Sequence, residues 1–355
     1  MPSKDFVNFA EQIRSGLHDF MSSNDSGVIL GLGVNDPKGV FGTTLGLSDV
    51  FGEDRVIETP TSENAVTGIG IGLAIQGHKV VMVHQRLDFF LLAMDQLVNA
   101  AAKWHYMFGE KQSIPITIRL ITGRGWGQGP THSQNLHSWF AHIPGLKVVF
   151  PSFAHEAKSL LRSAINDPNP VIFIEDRWCH SQETLVTSIN HGDIEIGKAR
   201  IVNQGDQLTL VSSGYLTIES LKAVEFVKQY GASVELIDLR SIKPIDYAKI
   251  FSSIKKTHKL LVVDSGNPIA SIASEIISVC AINCFKDLRE SPSMLTPPDV
   301  PEPTSYGVTE KFKISALSIA QQIFKDLKIN PGGINFEALK NPLHDVPNKA
   351  FSGPF

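Results

Sequence analysis

Short β-branched runs alternate with helical patterns along almost the whole chain, and this alternation limits the fold more than any other feature. Residues 28–30, 80–83, 114–121, 147–150 and 171–174 read as strands, and residues 64–76, 91–108 and 154–165 as helices between them. A strand that is followed by a helix and then by another strand of the same sheet is brought back parallel, with helices covering both faces. A second series repeats the scheme, with strands at 208–211, 234–237 and 260–263 and helices at 216–230 and 270–279. The expected fold class is therefore α/β, with two parallel-sheet domains over residues 1–190 and 200–328. The polar, irregular stretch 176–199 reads as the linker. Residues 329–355, rich in Pro, Gly and Asn, read as an extended tail on a surface. At the N-terminus, Phe6, Phe9, Ile13, Leu17 and Phe20 give the spacing of an amphipathic helix.

Composition excludes several classes. Apolar residues make up 42% and charged residues 19%, which suits a globular chain with a large core. The net charge is −4, with both signs mixed along the sequence, so neither nucleic acid nor an anionic membrane is an expected partner. The three cysteines include no zinc-type pair, and Cys280 and Cys284 read as small buried hydrophobes in a reducing compartment. The first 21 residues lack an apolar signal core, which points to the cytoplasm. Residues 64–83 contain Asn64, Gln76, His78 and Lys79, too many polar groups for a membrane-spanning helix.

Three features carry chemistry. In TPTSENAVTGIGIGLAIQG (residues 59–77), Glu63 is the one carboxylate ahead of fourteen uncharged residues. It reads either as a solvated acid in the first turn of a helix or, since that helix is apolar all round, as a buried acid in need of a partner. The glycines do not match a dinucleotide fingerprint, and Gly68 and Gly72 suit close helix packing. His132 sits in a long glycine-rich loop, and its spacing from His137 and His142 fits neither a helix face nor a strand face, so a zinc cluster is not expected. Arg86, Arg119 and Arg124 read either as anion ligands or as ordinary paired arginines.

Taken together, FGEDRVIETPTSENAVTGIGIGLAIQG, DFFLLAMDQLVNAAAKWHYMFGE, THSQNLHSWFAHIPGLKVVFPS and NPVIFIE resemble the beta subunit of the decarboxylating component of 2-oxo-acid dehydrogenase complexes, from about residue 5 to about 328. The resemblance implies a thiamine-diphosphate pyrimidine-binding domain followed by a transketolase C-terminal-type domain. It also implies an alpha-type partner, whose Gly-Asp-Gly…Asn motif holds the diphosphate and Mg2+, and a beta–beta pair within an alpha2beta2 heterotetramer. Lipoyl acyltransferase is the usual recipient of the product.

Residue by residue, Glu63 matches the family's catalytic glutamate, which hydrogen-bonds a ring nitrogen of the aminopyrimidine. Phe89 matches the aromatic that stacks on that ring, and Gln85 falls beside it in the cofactor pocket. His132 matches the active-site histidine. Ile116, Ala164, Ile165, Asp167 and Asn169 match a loop that binds potassium, mostly through backbone carbonyls. The glycine-spaced helix after Glu63 would let symmetry-related helices approach closely. Leu32 departs from the pattern, standing where the family carries an acid, so that the acid's role is either lost or taken by a nearby acid such as Asp36. The resemblance implies decarboxylation of a 2-oxo acid and transfer of the acyl or aldehyde unit. The alternatives are a carboligase that joins a two-carbon unit to an aldehyde or sugar, and a non-catalytic scaffolding subunit.

Overall fold

The computed structural model describes residues 5–125, 127–341, 343, 345 and 346. The chain divides into two compact units, and the division is not contiguous: residues 124–138 group with the second unit, and residues 139–196 return to the first.

Up to residue 196 the elements are β1 (Phe6–Asn8), α1 (Phe9–Ser23), β2 (Gly27–Gly31), α2 (Leu47–Phe51), β3 (Val56–Glu58), α3 (Glu63–Ile75), β4 (Lys79–His84), α4 (Leu87–Phe90), α5 (Ala102–Met107), β5 (Ile116–Thr122), α6 (His137–His142), β6 (Lys147–Val149), α7 (Ala154–Ile165), β7 (Val171–Asp176) and β8 (Glu183–Leu185). Six of these strands run parallel in the order β6-β7-β5-β4-β2-β3. Runs such as Val80–Val83 are wholly apolar because helices bury both faces of the sheet. α1 begins three residues later than the spacing suggested. The Asn8 side chain accepts from the Glu11 backbone at 2.9 Å while Glu11 accepts from the Asn8 backbone at 2.8 Å, a reciprocal cap that leaves Phe6 outside the helix.

Three expectations are corrected here. The stretch from 176 onward is not simply a linker: β8 pairs antiparallel with β1, and Trp178, Cys179 and His180 are buried. The long helix over 91–108 is instead α4, a 3-10 turn at Leu91–Ala93, a π-helical stretch at Gln96–Ala101 and then α5. The wider turn carries Leu97 and Ala101 into the core, and at Gly145 the neighbouring chain passes so close to the Ala102 carbonyl that a Cβ would collide with it. Finally, α3 is half-exposed in this chain rather than buried all round. Its inward glycine is Gly70, where a Cβ would lie 2.9 Å from Met82 Sδ, whereas Gly72 faces open space and Ile69 is 58% exposed.

The second unit contains β9 (Arg200–Asn203), β10 (Leu208–Ser212), α8 (Tyr215–Lys228), β11 (Val234–Asp238), β12 (Ser241–Lys243), α9 (Tyr247–Thr257), β13 (Leu260–Val263), α10 (Ile272–Asn283), β14 (Ser293–Leu295), α11 (Tyr306–Thr309) and α12 (Ala316–Leu327). Its sheet has the order β14-β13-β10-β11-β9, parallel except for β9. The predicted tail does not merely lie on a surface: Ile329, Ile334, Phe336 and Leu339 pack against the core between α8 and α12, and the Phe336 ring stands 5.6 Å from that of Phe226. Residues 342, 344 and 347–355 of that tail lie outside the described residues. All three cysteines are buried thiols. Among the described residues, no helix is long and apolar enough to cross a membrane.

Candidate active site

In a parallel sheet the carboxyl ends of the strands converge on loops whose backbone groups are no longer used by the ladder, so ligands collect there. The first unit has a cleft of about 410 Å3, including its open mouth, at the ends of β2 and β4. Gly31 and Leu32 follow β2, Thr59, Pro60 and Thr61 follow β3, and Met82–Gln85 end β4. Glu63 and Val66 enter from the first turn of α3, and Phe89 from α4. The cleft thus gathers Glu63 with Gln85 and Phe89, which follow it by 22 and 26 residues.

Glu63 is the first residue of α3, where the positive end of the helix dipole favours a carboxylate. Its side chain is half-buried, and among the described residues it has neither a hydrogen bond nor an ion pair. It is therefore a hydrogen-bonding group directed at a cleft and not consumed by the fold. Phe89 is 37% exposed, with its ring at the cleft wall. The Gln85 amide donates to the Leu32 carbonyl at 3.1 Å, so Gln85 braces the loop after β2 while it lines the pocket. Leu32 is 40% exposed on the same wall. Two acids lie beside it: the Glu58 carboxylate accepts from the backbone of Gly33 at 2.6 Å and of Asn35 at 3.1 Å, and an Asp36 carboxylate oxygen stands 3.2 Å from where a Cβ of Gly33 would lie.

His84 is a site residue that the sequence did not reveal. Its Nε2 is buried without a hydrogen-bond partner, its ring meets Phe90 edge-on at 4.8 Å, and burial pulls its pKa down to about 4. It lines the cleft as a neutral imidazole at neutral pH. A histidine at the end of an apolar strand carries no periodicity signal that would have singled it out.

His132 belongs to the segment that groups with the second unit. Its backbone N–H donates to Gly129 at 3.4 Å, and its Nδ1 lies 3.0 Å from the Thr131 hydroxyl. His137 pairs with the buried Asp264 at 2.8 Å. Among the described residues, no three His, Cys, Asp or Glu side chains are grouped to hold a metal. The three arginines are engaged by the protein. Arg119 forms a two-pronged bond with Glu175 at 2.5 and 2.9 Å, Arg124 pairs with Glu302 at 3.1 Å, and Arg86 donates to the Gly123 carbonyl at 3.3 Å.

The residues expected to bind potassium fall on and around the loop after α7. Among the described residues the Asn169 side-chain oxygen is buried without a hydrogen-bond partner, while Ala164 and Ile165 end α7, where the Ala164 carbonyl accepts from the Asp167 backbone N–H at 3.2 Å. The Asp167 carboxylate is held by Lys147 and by the Asn169 backbone N–H. Ile116 opens the adjacent strand β5.

The matched family models describe the same two parts. Residues 8–179 match the transketolase pyrimidine-binding domain and residues 197–319 the transketolase C-terminal domain. The chain is 37% identical, over 82% of its length, to the pyruvate dehydrogenase E1 component subunit beta of Rhizobium meliloti, and the match spans 64% of that protein. It is 36% identical to the acetoin:2,6-dichlorophenolindophenol oxidoreductase subunit beta of Cupriavidus necator, over 85% of this chain and 90% of that one. It is 33% identical to the 2-oxoisovalerate dehydrogenase subunit beta of Bacillus subtilis, over 86% of this chain and 94% of that one. A solved split-gene transketolase, described as an inactive beta4 tetramer, shares the fold at a TM-score of 0.75 and 17% identity, covering 91% of this chain and 99% of its own. The chain therefore belongs to the transketolase-like family of thiamine-diphosphate-dependent 2-oxo-acid dehydrogenase E1 beta subunits.

Proposed function

We propose that this chain is the pyrimidine-binding half of a cytoplasmic two-chain enzyme that decarboxylates a 2-oxo acid and passes the acyl unit to a lipoyl group on an acyltransferase. The observation that carries this reading is the cleft in which a carboxylate without a protein partner, Glu63, and an exposed ring, Phe89, stand together at the strand ends. Those groups suit the aminopyrimidine half of thiamine diphosphate. The carboxylate is positioned to share a proton with a ring nitrogen, and the phenyl ring supplies a stacking face. Bound thiamine diphosphate supplies the carbon nucleophile and the electron sink for decarboxylation. Apolar cleft walls at Leu32, Val66 and Met82 lower the local dielectric, so a hydrogen bond from Glu63 counts for more than it would in water. His132 is assigned to the substrate side of the chemistry, and residues 1–190 and 200–328 to the two functional domains.

This chain has no Gly-Asp-Gly…Asn diphosphate motif, and Gly205-Asp206-Gln207 is the nearest sequence to it. The diphosphate and Mg2+ therefore belong to an alpha-type partner. The exposed apolar face of α3, with Ile69 and Gly72, suits a beta–beta pair within an alpha2beta2 assembly. The residues around Asn169 suit a structural potassium ion. A second reading, cleavage or formation of a bond to a two-carbon unit, is favoured by one observation, the similarity to a subunit named for acetoin, a hydroxyketone and not a 2-oxo acid.

Calorimetry tests the two-chain assignment. The isolated chain binds thiamine diphosphate with Mg2+ weakly or not at all, and the co-purified pair binds it tightly. Tight Mg2+-dependent binding by the isolated chain would sink the assignment. With the pair in hand, turnover of pyruvate or a branched 2-oxo acid, but not of acetoin, separates the first reading from the second.

A further inference from the structure

The C-terminal segment that follows the family-model match has an assigned partner in the fold. We propose that Asn341, Leu343, Asp345 and Val346 form a built-in clamp at Gly125, at the start of the glycine-rich loop that leads through Gly127 and Gly129 to His132. All the groups involved belong to the second unit.

The loop is narrow because the clamp lies against it. A Cβ at Gly125 would stand 2.5 Å from the Asp345 carbonyl oxygen and 3.6 Å from Val346 Cγ1, so the chain at this point can only be glycine. Gly125 also has φ +130°, which side chains rarely adopt. Two residues on, Gly127 meets the Thr304 carbonyl, and Gly129 meets the Thr304 hydroxyl at 2.3 Å from its own Cβ position. The loop therefore passes through a slot whose walls are the 302–304 segment and the clamp.

The clamp is fixed by bonds of its own. The Lys313 ammonium donates to the Leu343 carbonyl at 3.0 Å, the Leu343 N–H donates to the Asn341 side chain at 3.0 Å, and the Asn341 amide donates to the Val346 carbonyl at 3.3 Å. Asp345 is buried. Charged groups of both signs cluster beside the slot: Arg124 pairs with Glu302 at 3.1 Å, Asp345 lies close enough to raise the Glu302 carboxyl, and Arg124 close enough to lower the Lys313 ammonium. Burial draws the Lys313 ammonium down to about 8 and raises the Glu302 carboxyl, as expected for charges that have lost water. Loops with this many glycines would otherwise sample many conformations, so a bound segment that restricts them lowers the cost of presenting a side chain.

The consequence for catalysis rests on the assignment of His132 given above, whereas the clamp itself is a property of the isolated chain and is tested there. Hydrogen exchange is followed in the full chain, in a chain ended after Lys340, and in full-length Lys313→Met, which keeps the stem and removes the donor to Leu343. In both variants the amides of 127–135 should exchange about tenfold faster, with β10 and α12 unchanged. The His132 ring resonances, assigned with His132→Gln, should move as well, and those of His258 should stay. If the shortened chain does not fold, Lys313→Met decides alone. Unchanged exchange over 127–135 in Lys313→Met overturns the clamp, as do His132 resonances that stay in place while the loop exchanges faster.

Discussion

Glu63 and Glu175 are two carboxylates of the same unit that the fold treats in opposite ways. Glu175 is fully buried at the end of β7. It takes both prongs of Arg119 and a bond from His180 at 3.1 Å, and these cations and donors outweigh burial and hold its pKa near 2. Arg119 also donates to the Thr43 hydroxyl at 2.9 Å, which ties the loop before α2 to the sheet. Glu63 stands half-exposed at a cleft with no protein partner among the described residues. The strongly perturbed acid is the structural one, and the acid available for chemistry is the one the fold leaves unused. Perturbed titration alone points to Glu175 and not to the proposed Glu63, because ion-pair networks shift pKa values as strongly as active sites do.

Substitutions can break this contrast. Glu63→Gln should lower turnover of the assembled enzyme by roughly 10²–10⁴-fold, the scale of an essential acid–base group, and should change urea stability by less than about 0.5 kcal/mol. Unchanged turnover would remove Glu63 from the mechanism. Glu175→Gln should do the reverse: it strands the buried Arg119 guanidinium and should cost about 3–5 kcal/mol in urea unfolding. A loss under about 1 kcal/mol would mean that water reaches Arg119, and the contrast would fail.

Two smaller effects sharpen it. His84 is more acidic folded than unfolded, so the unfolded chain binds more protons below pH 6.5. Its contribution to stability is present above pH 6.5, is lost as pH falls towards 4, and should amount to about 2 kcal/mol. Glu175 keeps its contribution until the pH drops below its ordinary value of 4.5, so the loss between 6.5 and 4.5 belongs to the two buried imidazoles whose pKa burial lowers, His84 and His180, and should be smaller in His84→Gln than in the parent chain. An identical pH profile in that variant would show that the ring is hydrated. Last, Phe89→Ala should weaken cofactor binding by the assembled pair by about 1 kcal/mol, the value of a lost stacking face, with stability unchanged. Unchanged affinity would move the stacking role to another wall of the cleft.

Much of this was legible in the residues themselves. Apolar runs of four to seven residues between helical patterns can be satisfied only by strands covered on both faces, so the parallel α/β order followed from local chemistry. Lone Glu63 ahead of an uncharged helix marked an end of that helix as chemically special. Arg119, a single charge inside ITIRLIT, read either as an anion ligand or as a paired arginine, because Glu175 lies 56 residues away and only the β5–β7 register brings them together.

The sequence by itself determined which segments are strands and helices and which side chains cannot be ordinary, since both depend on periodicity and on the cost of burying charge. Tertiary structure alone decided the rest. It showed that β8 returns to pair with β1, that Glu58 joins Asp36 at the Leu32 loop, and that the tail packs Phe336 into the second core. It also showed that α3 keeps one apolar face uncovered. Each of these depends on contacts between segments distant in sequence. Such contacts are chosen by the summed packing of the whole chain, which leaves no local periodicity behind.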